Sequence, residues 1–584
     1  MDEKQIIENQ EEIEQKPQED TQVAEAPVKE LAFDYNDPDY KRRKKKASII
    51  SICIVVSLIV AFALLMWIWF FIVNYPIITV THKNIDDLKI DYTISEDGQF
   101  ITNINYEDYL EYSPSIFDGL FSTKYYLSEE GVVEGKDAAA ANTAIIQGII
   151  DDVTSSTVIY IDGNYNITSI QLKDKVSLVI EEECSLIGPD YSDHYDFSQC
   201  KGIVWAEDAK NIAIYGPGTI VGNGTSYTNE AEDSSIFTPL TEFNVKDRVL
   251  EARKRLREAK DKNTRPHIVY LNNCSDVKIQ NVRLYDSAFW TMRIKDSNNV
   301  VVKDIVIDNN VHVANADGID IDSSQKVKVV HCFIATADDG VCIKSCGNEN
   351  VEDISVDRCS IMSMANNFKI GTETSKDIEK VNVTNCYFFM PNNVTGGYAG
   401  ISIESADGAN VENVYVDNIY MKGISSPMLI WLGDRLDKEK GSDGTTMGSM
   451  KNITVSNITA YDVELASAIT GCKHKEKTYY VENVKIANFN ISYRNTGEKL
   501  DVGSADYEPS MDGYPEITRV LHKYILSHEM SVYKDMPVYG LFARHVNGLK
   551  IYNLNVNARS CNSLPRDNVT QAKDRYDVLD VSVN

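Results

Sequence analysis

Two short stretches hold an unusual density of aspartate: Asn315-Ala316-Asp317-Gly318-Ile319-Asp320-Ile321-Asp322 and Ala337-Asp338-Asp339-Gly340-Val341-Cys342-Ile343-Lys344. Superposing Gly318 on Gly340 sets Asp317 beside Asp339, Asp320 beside Cys342 and Asp322 beside Lys344. If the stretches are in-register parallel strands, about 4.7 to 4.9 Å apart, then Asp317, Asp338 and Asp339 converge on one face. Three carboxylates at that range do not all ionise together; one keeps its proton and becomes a general acid while the others remain bases. That division of labour is what cleavage of a glycosidic bond by water requires. Two other readings fit the same spacing. Asp-Gly and Asp-Asp pairs satisfy backbone groups in turns, and clustered oxygens suit a calcium ion. Spacing alone leaves all three open.

The elements that would position these residues are legible as a repeat. A phrase of the form Asn/Asp, then Val/Ile-x-Val/Ile-x-Asn, then an aliphatic recurs along the chain, each copy a short strand with period-two alternation. The first aliphatic of each copy falls at Ile212, Val277, Val300, Val327, Ile354, Val381, Val414, Ile453, Val484 and Leu549, with central intervals of 23, 27, 27, 27 and 33 residues. Those intervals carry no helical pattern between strands, which excludes βαβ units. They suit one turn of a coil made of three short strands, so the expected fold is all-β, a right-handed parallel β-helix. Leucine-rich repeats lack support because the leucine spacing is absent, and a β-propeller needs longer blades. Insertions in such a solenoid become external loops; residues 245–263 read as a solvated helix, and the 65-residue interval from Val484 to Leu549 holds another excursion. Cys332, Cys359 and Cys386 recur at one repeat length, which predicts an internal column of buried thiols, with disulfides as the alternative.

Composition and location narrow the function classes. The chain has 584 residues, 43% of them hydrophobic, and a formal charge of -29. Length and apolar content allow a large buried core. The acidic balance excludes general nucleic-acid binding and means that an acidic substrate must be held by a few local cations. Residues 47–73 contain no charge and are long enough to span a bilayer as a helix. The preceding Lys-Arg-Arg-Lys-Lys-Lys at 41–46 places that end in the cytoplasm. The reading is a tail at 1–46, an uncleaved single-pass anchor at 47–73, a juxtamembrane segment at 74–130 and an extracellular β-helix domain at 131–584, most simply a monomer.

From about Asp137 to Val583 the chain resembles glycoside hydrolase family 28, the polygalacturonase family. The likeness is carried by residues 142–151 and 165–188 as an opening cap and first coils, by 216–224 and 265–294 as central coils, and by 536–551 as a closing segment. Asn315-Ala316-Asp317 is similar to the family's Asn-x-Asp motif, and Asp338-Asp339 to its paired aspartates. The resemblance implies that Asp338 protonates the glycosidic oxygen while Asp317 and Asp339 activate water, with inversion and with no cofactor or metal. It also implies a uronic-acid-containing polysaccharide as partner; Asn315, Asp320, Lys344, Asn366, Lys369, Ser402 and Glu404 are the residues expected to bind it, with Arg293 and Arg544 as further candidates. Two motifs depart from the family pattern. Ala365-Asn366-Asn367 stands where Gly-His-Gly is expected, and Ser402-Ile403-Glu404 stands where Arg-Ile-Lys would bind a sugar carboxylate. Aligning Ile343, Ile370 and Ile403 as one column places Lys369 directly before Ser402, where it would partly replace the missing cation; the alternative is a surface lysine that balances the nearby aspartates. Glu404 would repel a galacturonate, which widens the substrate to rhamnogalacturonan or another branched pectic fragment. A pectate lyase would need calcium and an arginine base; a non-catalytic polysaccharide-binding protein, or an adhesive solenoid, would not need three aspartates.

Overall fold

Each repeat opens on a residue that must turn the chain. The residue before the first aliphatic of every copy, from Asn211, Asp276, Asn299 and Lys326 through Asn413, Asn452, Asn483 and Gly548, has positive φ. Asn and Asp tolerate this left-handed conformation better than other side-chain-bearing residues, which is why they head the repeats. The aliphatic that follows points inward, and all ten such residues are at most 2% exposed. The computed structural model describes residues 122–197, 201–229, 264–391, 397–463, 466–493 and 540–557, strand Tyr576–Val583, short pieces at 93–95, 99–102 and 259–261, and isolated positions 38, 42 and 45. The chain divides into Met1–Val80 and Thr81–Asn584, and every element below belongs to the second unit.

Among the described residues, 31 strands join one hydrogen-bonded system whose pairings are parallel, each strand bonding to its counterparts one coil before and after. The ten repeat aliphatics pair with one another in unbroken register from Ile212 to Leu549. Three strand stacks per coil define a parallel β-helix, which excludes the leucine-rich and propeller alternatives. Helix α1, Ala139–Asp151, closes the first coils by burying Ile146 and Ile150. Its buried Asn142 donates to the carbonyls of Val133 and Asn166. The first strand to join a stack is Thr123–Tyr126, ahead of residue 131.

Asparagines at the second turn of the later coils stack on one another. Asn553 donates to Asn488, Asn488 to Asn457, and Asn457 to Asp417 at 2.7 to 2.9 Å. Asn418 donates to Asn385, which donates to Asp357. Such ladders satisfy turn polar groups in these coils. Cys332, Cys359 and Cys386 form the expected internal column and are free, fully buried thiols.

The stack that carries the aspartates comprises β1 (His267–Asn272), β2 (Met292–Lys295), β3 (Ile319–Asp322), β4 (Val341–Ser345), β5 (Phe368–Thr374), β6 (Ala399–Ser405) and β7 (Ser426–Leu432). Its inward column runs Leu271, Ile294, Ile321, Ile343, Ile370, Ile403 and Ile430. Its outward column is polar over the middle coils: Arg293, Asp320, Cys342, Lys369 and Ser402. The anchor expected at 47–73 and most of the helix expected at 245–263 lie outside the described residues. No helix among the described residues is long and apolar enough to cross a membrane.

Candidate active site

Two glycines bring the aspartate turns together. A Cβ on Gly318 would lie 2.3 Å from the Gly340 carbonyl oxygen, and one on Gly340 would lie 2.5 Å from the Asn367 carbonyl oxygen. Only glycine permits that nesting, and it stacks the turns before β3, β4 and β5. One oxygen from each of Asp317, Asp338 and Asp339 lies within 4.8 Å of the others. Asp317 comes from one coil and Asp338 and Asp339 from the next, and this limit is tighter than the spacing of about 6.5 to 9.5 Å expected between acid and base in an inverting hydrolase.

The three side chains differ in setting. Asp317 and Asp339 are each 3% exposed, whereas Asp338 is half-buried. The backbone beneath Asp317 is tied by a buried polar web. Thr291 Oγ1 donates to the Asp317 carbonyl and Thr336 Oγ1 to the Ala316 carbonyl, while Asn309 donates to both threonine hydroxyls. Burial, then Asp320 and Asp338, push the Asp317 carboxyl well above the usual range, against Lys344. Burial likewise pushes Asp320 up to about 8, with Lys344 opposing. Neither Asp320 oxygen has a hydrogen-bond partner, and Lys344 Nζ stands 3.6 Å away.

Asp339 is surrounded by donors. Asn366 Nδ2 donates to Oδ1 at 2.7 Å and the Asn366 backbone N–H donates at 3.2 Å. Lys369 Nζ lies 3.1 Å from Oδ2, and the Cys342 thiol is 3.8 Å from the same oxygen. With an ammonium and an amide already on its oxygens, Asp339 has few lone pairs left for calcium, which takes six to eight oxygens.

The register of Cys342, Lys369 and Ser402 is as expected, but the surroundings of the last two differ from the sequence reading. Lys369 is 6% exposed and paired with Asp339, so it is not a surface lysine. Ser402 and Glu404 are fully buried. Ser402 Oγ donates to Glu404 Oε1 at 2.6 Å and Thr372 Oγ1 donates to Oε2 at 3.2 Å. Burial raises Glu404 to about 7 against Lys369. Glu404 is thus enclosed, with each carboxyl oxygen accepting from a hydroxyl.

The other expected residues divide. Asn315 is exposed, and its Nδ2 donates to Asp338 Oδ2 at 3.5 Å. Lys344 is buried, 3.1 Å from Glu373 Oε2 and 4.6 Å above the Trp290 ring. Arg293 pairs with Asp322 at 2.6 Å. Arg544 stands opposite Thr470, in the column of Glu404 but three coils on.

Four contributing residues were missed. Arg265 donates to the carbonyls of Ala288 and Ala314 and, at 3.2 Å, to Asn315 Oδ1, pinning the turn that presents Asp317. Asn309 anchors the threonine web. Phe289 and Trp290 are half-buried, coplanar to 6° with centroids 5.3 Å apart, and sit directly before Thr291. The only sequence signal for Arg265 was its place at the return from the insertion.

A three-faced parallel β-helix with a carboxylate trio on one face defines the class, and the chain matches the model of glycosyl hydrolases family 28 over residues 150–502 and belongs to that family. It is 27% identical over 264 residues to an endo-polygalacturonase of Pectobacterium carotovorum subsp. carotovorum, covering 45% of this chain and 59% of that protein. It is 24% identical over 275 residues to a probable polygalacturonase of Vitis vinifera, covering 44% and 53%. The chain thus spans less than two thirds of the length of these relatives. Its fold is similar to that of a family 28 exopolygalacturonase from Yersinia enterocolitica, with TM-score 0.55 and 16% identity over 79% of each chain. An exopolygalacturonase from Thermotoga maritima gives TM-score 0.50 and 20% identity, over 67% of this chain and 91% of that one.

Proposed function

We propose that this protein hydrolyses O-glycosidic bonds in a pectic, galacturonic-acid-containing polysaccharide. The observation that carries the reading is the convergence of Asp317, Asp338 and Asp339 from adjacent coils to within 4.8 Å, on a chain that belongs to a glycoside hydrolase family. Asp338, the half-buried member, gives its proton to the glycosidic oxygen as the bond to the anomeric carbon breaks. Water attacks that carbon from the opposite side and loses its proton to an aspartate of the buried pair. The two aspartates then exchange the proton back through solvent. The coplanar Phe289 and Trp290 beside the trio support a sugar ligand, because flat aromatic faces stack on pyranose rings.

The test is reducing-sugar release by the full chain on a panel of pectic polysaccharides, beside Asp338→Asn. Release that the variant lowers by about 100-fold or more supports hydrolysis, and proton NMR of the first product should show inverted anomeric configuration. Retained configuration overturns the water-attack assignment. Binding without release from any polymer overturns hydrolysis in favour of a polysaccharide-binding protein.

Location is part of the same reading. The uncharged run at 47–73 behind the basic cluster at 41–46 supports a single-pass anchor with the β-helix outside the cell.

A further inference from the structure

Resting on the hydrolytic reading above, we infer that Lys369 is a positioning residue for Asp339, holding it as the anion that accepts the proton of water, rather than a binding residue for the substrate's carboxylate. The argument begins with hydrogen-bond inventory. Among the described residues, the groups bonded to the Asp339 carboxylate are donors: the Asn366 amide and backbone N–H on Oδ1 and the Lys369 ammonium on Oδ2, while the Cys342 thiol, 3.8 Å from Oδ2, points its proton to the Gly371 carbonyl at 3.0 Å. A protonated carboxyl would need an acceptor for its own O–H, and this ring of partners supplies none. Asp317 is the counterpart: burial, then Asp320 and Asp338, hold its carboxyl well above the usual range, so it is the member of the buried pair suited to keep a proton.

Lys369 remains charged in this buried place. Burial acts to discharge it, but Asp339 and Glu404, with Cys342, outweigh burial and the opposing Lys344. The groups facing the pair come from every adjacent coil. Asp317 and Asp320 lie on the coil before, Asp338, Cys342 and Lys344 on the coil of Asp339, Asn366 and Glu373 on that of Lys369, and Glu404 on the next. Lys344 is taken by Glu373 and Asp320, leaving Lys369 as the ammonium in contact with Asp339. Asn366 alone supplies a neutral donor. The cation that secures the base therefore comes from β5, three residues further along the chain.

The experiment compares the full-length wild type with Lys369→Met, Lys369→Gln and Lys369→Arg, measuring kcat and KM against pH. Lys369→Met and Lys369→Gln remove the ammonium that favours the anion, so they should move the acidic limb of the profile upward, lower kcat and leave KM within a factor of about two. Lys369→Arg should restore the limb. A KM increase with kcat and limb unchanged overturns the inference and makes Lys369 a substrate-binding residue; an unmoved limb with unchanged kcat also overturns it. A second measurement does not depend on turnover. Lys369→Met strands a buried carboxylate, so the double variant Lys369→Met/Asp339→Asn should melt above Lys369→Met alone, and a double variant that melts no higher overturns the pairing. If the wild type releases no sugar from any polymer, the hydrolytic reading fails while the melting comparison still decides the pair.

Discussion

Replacing Glu404 by glutamine should change stability only above a definable pH. Glu404 is fully buried, and its carboxyl is raised from 4.5 to about 7, chiefly by burial and partly by Asp339, with Lys369 opposing. In the unfolded chain the proton leaves near the lower value and in the folded chain near the higher one. Between them the unfolded state is the one that has given up its proton, so raising the pH pulls the equilibrium toward unfolding. The stability contributed by protonated Glu404 is thus complete below 4.5 and gone once the pH has passed about 7. At roughly 1.4 kcal/mol per pH unit, that interval is worth about 3 kcal/mol. With about 450 residues in the solenoid, unfolding entropy near 2.1 cal/mol/K per residue gives about 1 kcal/mol per degree. The expected effect is a melting temperature for Glu404→Gln that gains about 3 °C on the wild type between pH 4 and pH 8, then no more. Differential scanning calorimetry across that range measures it. A gap that stays flat, or that opens in favour of the wild type as pH rises, refutes the assignment of a desolvated carboxyl at 404.

Arg265→Met removes the side chain that ties Asn315 and two carbonyls; it should cost about 1 to 3 kcal/mol of stability and lower kcat more than it raises KM, and steady-state kinetics with unchanged kcat would refute the role. Added protease should digest the β-helix domain of the full chain on intact cells while sparing a membrane-held fragment that includes residues 1–46, and protection of the whole chain until lysis would refute the extracellular placement.

Much of this architecture was legible because a solenoid maps sequence period onto space. Once the interval between repeat aliphatics is known, a residue's neighbours are those one interval away, and the register of Asp320, Cys342, Lys369 and Ser402 followed from aligning isoleucines. The Asn and Asp at the repeat heads mark positive-φ turns for a local reason, and the thiol column follows from equal spacing.

What sequence did not determine is how each outward side chain is surrounded, because that depends on groups outside its own column. Glu404 and Lys369 read as groove-lining charges, yet depth removes one from water and gives the other to Asp339. Arg265 reaches Asn315 across 50 residues, and Asn309 reaches Thr291 and Thr336 across the interior of the turn. Which carboxyl keeps a proton was likewise beyond the sequence. The three aspartates are alike in type, and with Asp317 and Asp339 equally buried, only donor count and the distance to an ammonium make those two differ. Periodicity fixes who is stacked on whom, while desolvation and pairing, which act in three dimensions, decide what each stacked group can do.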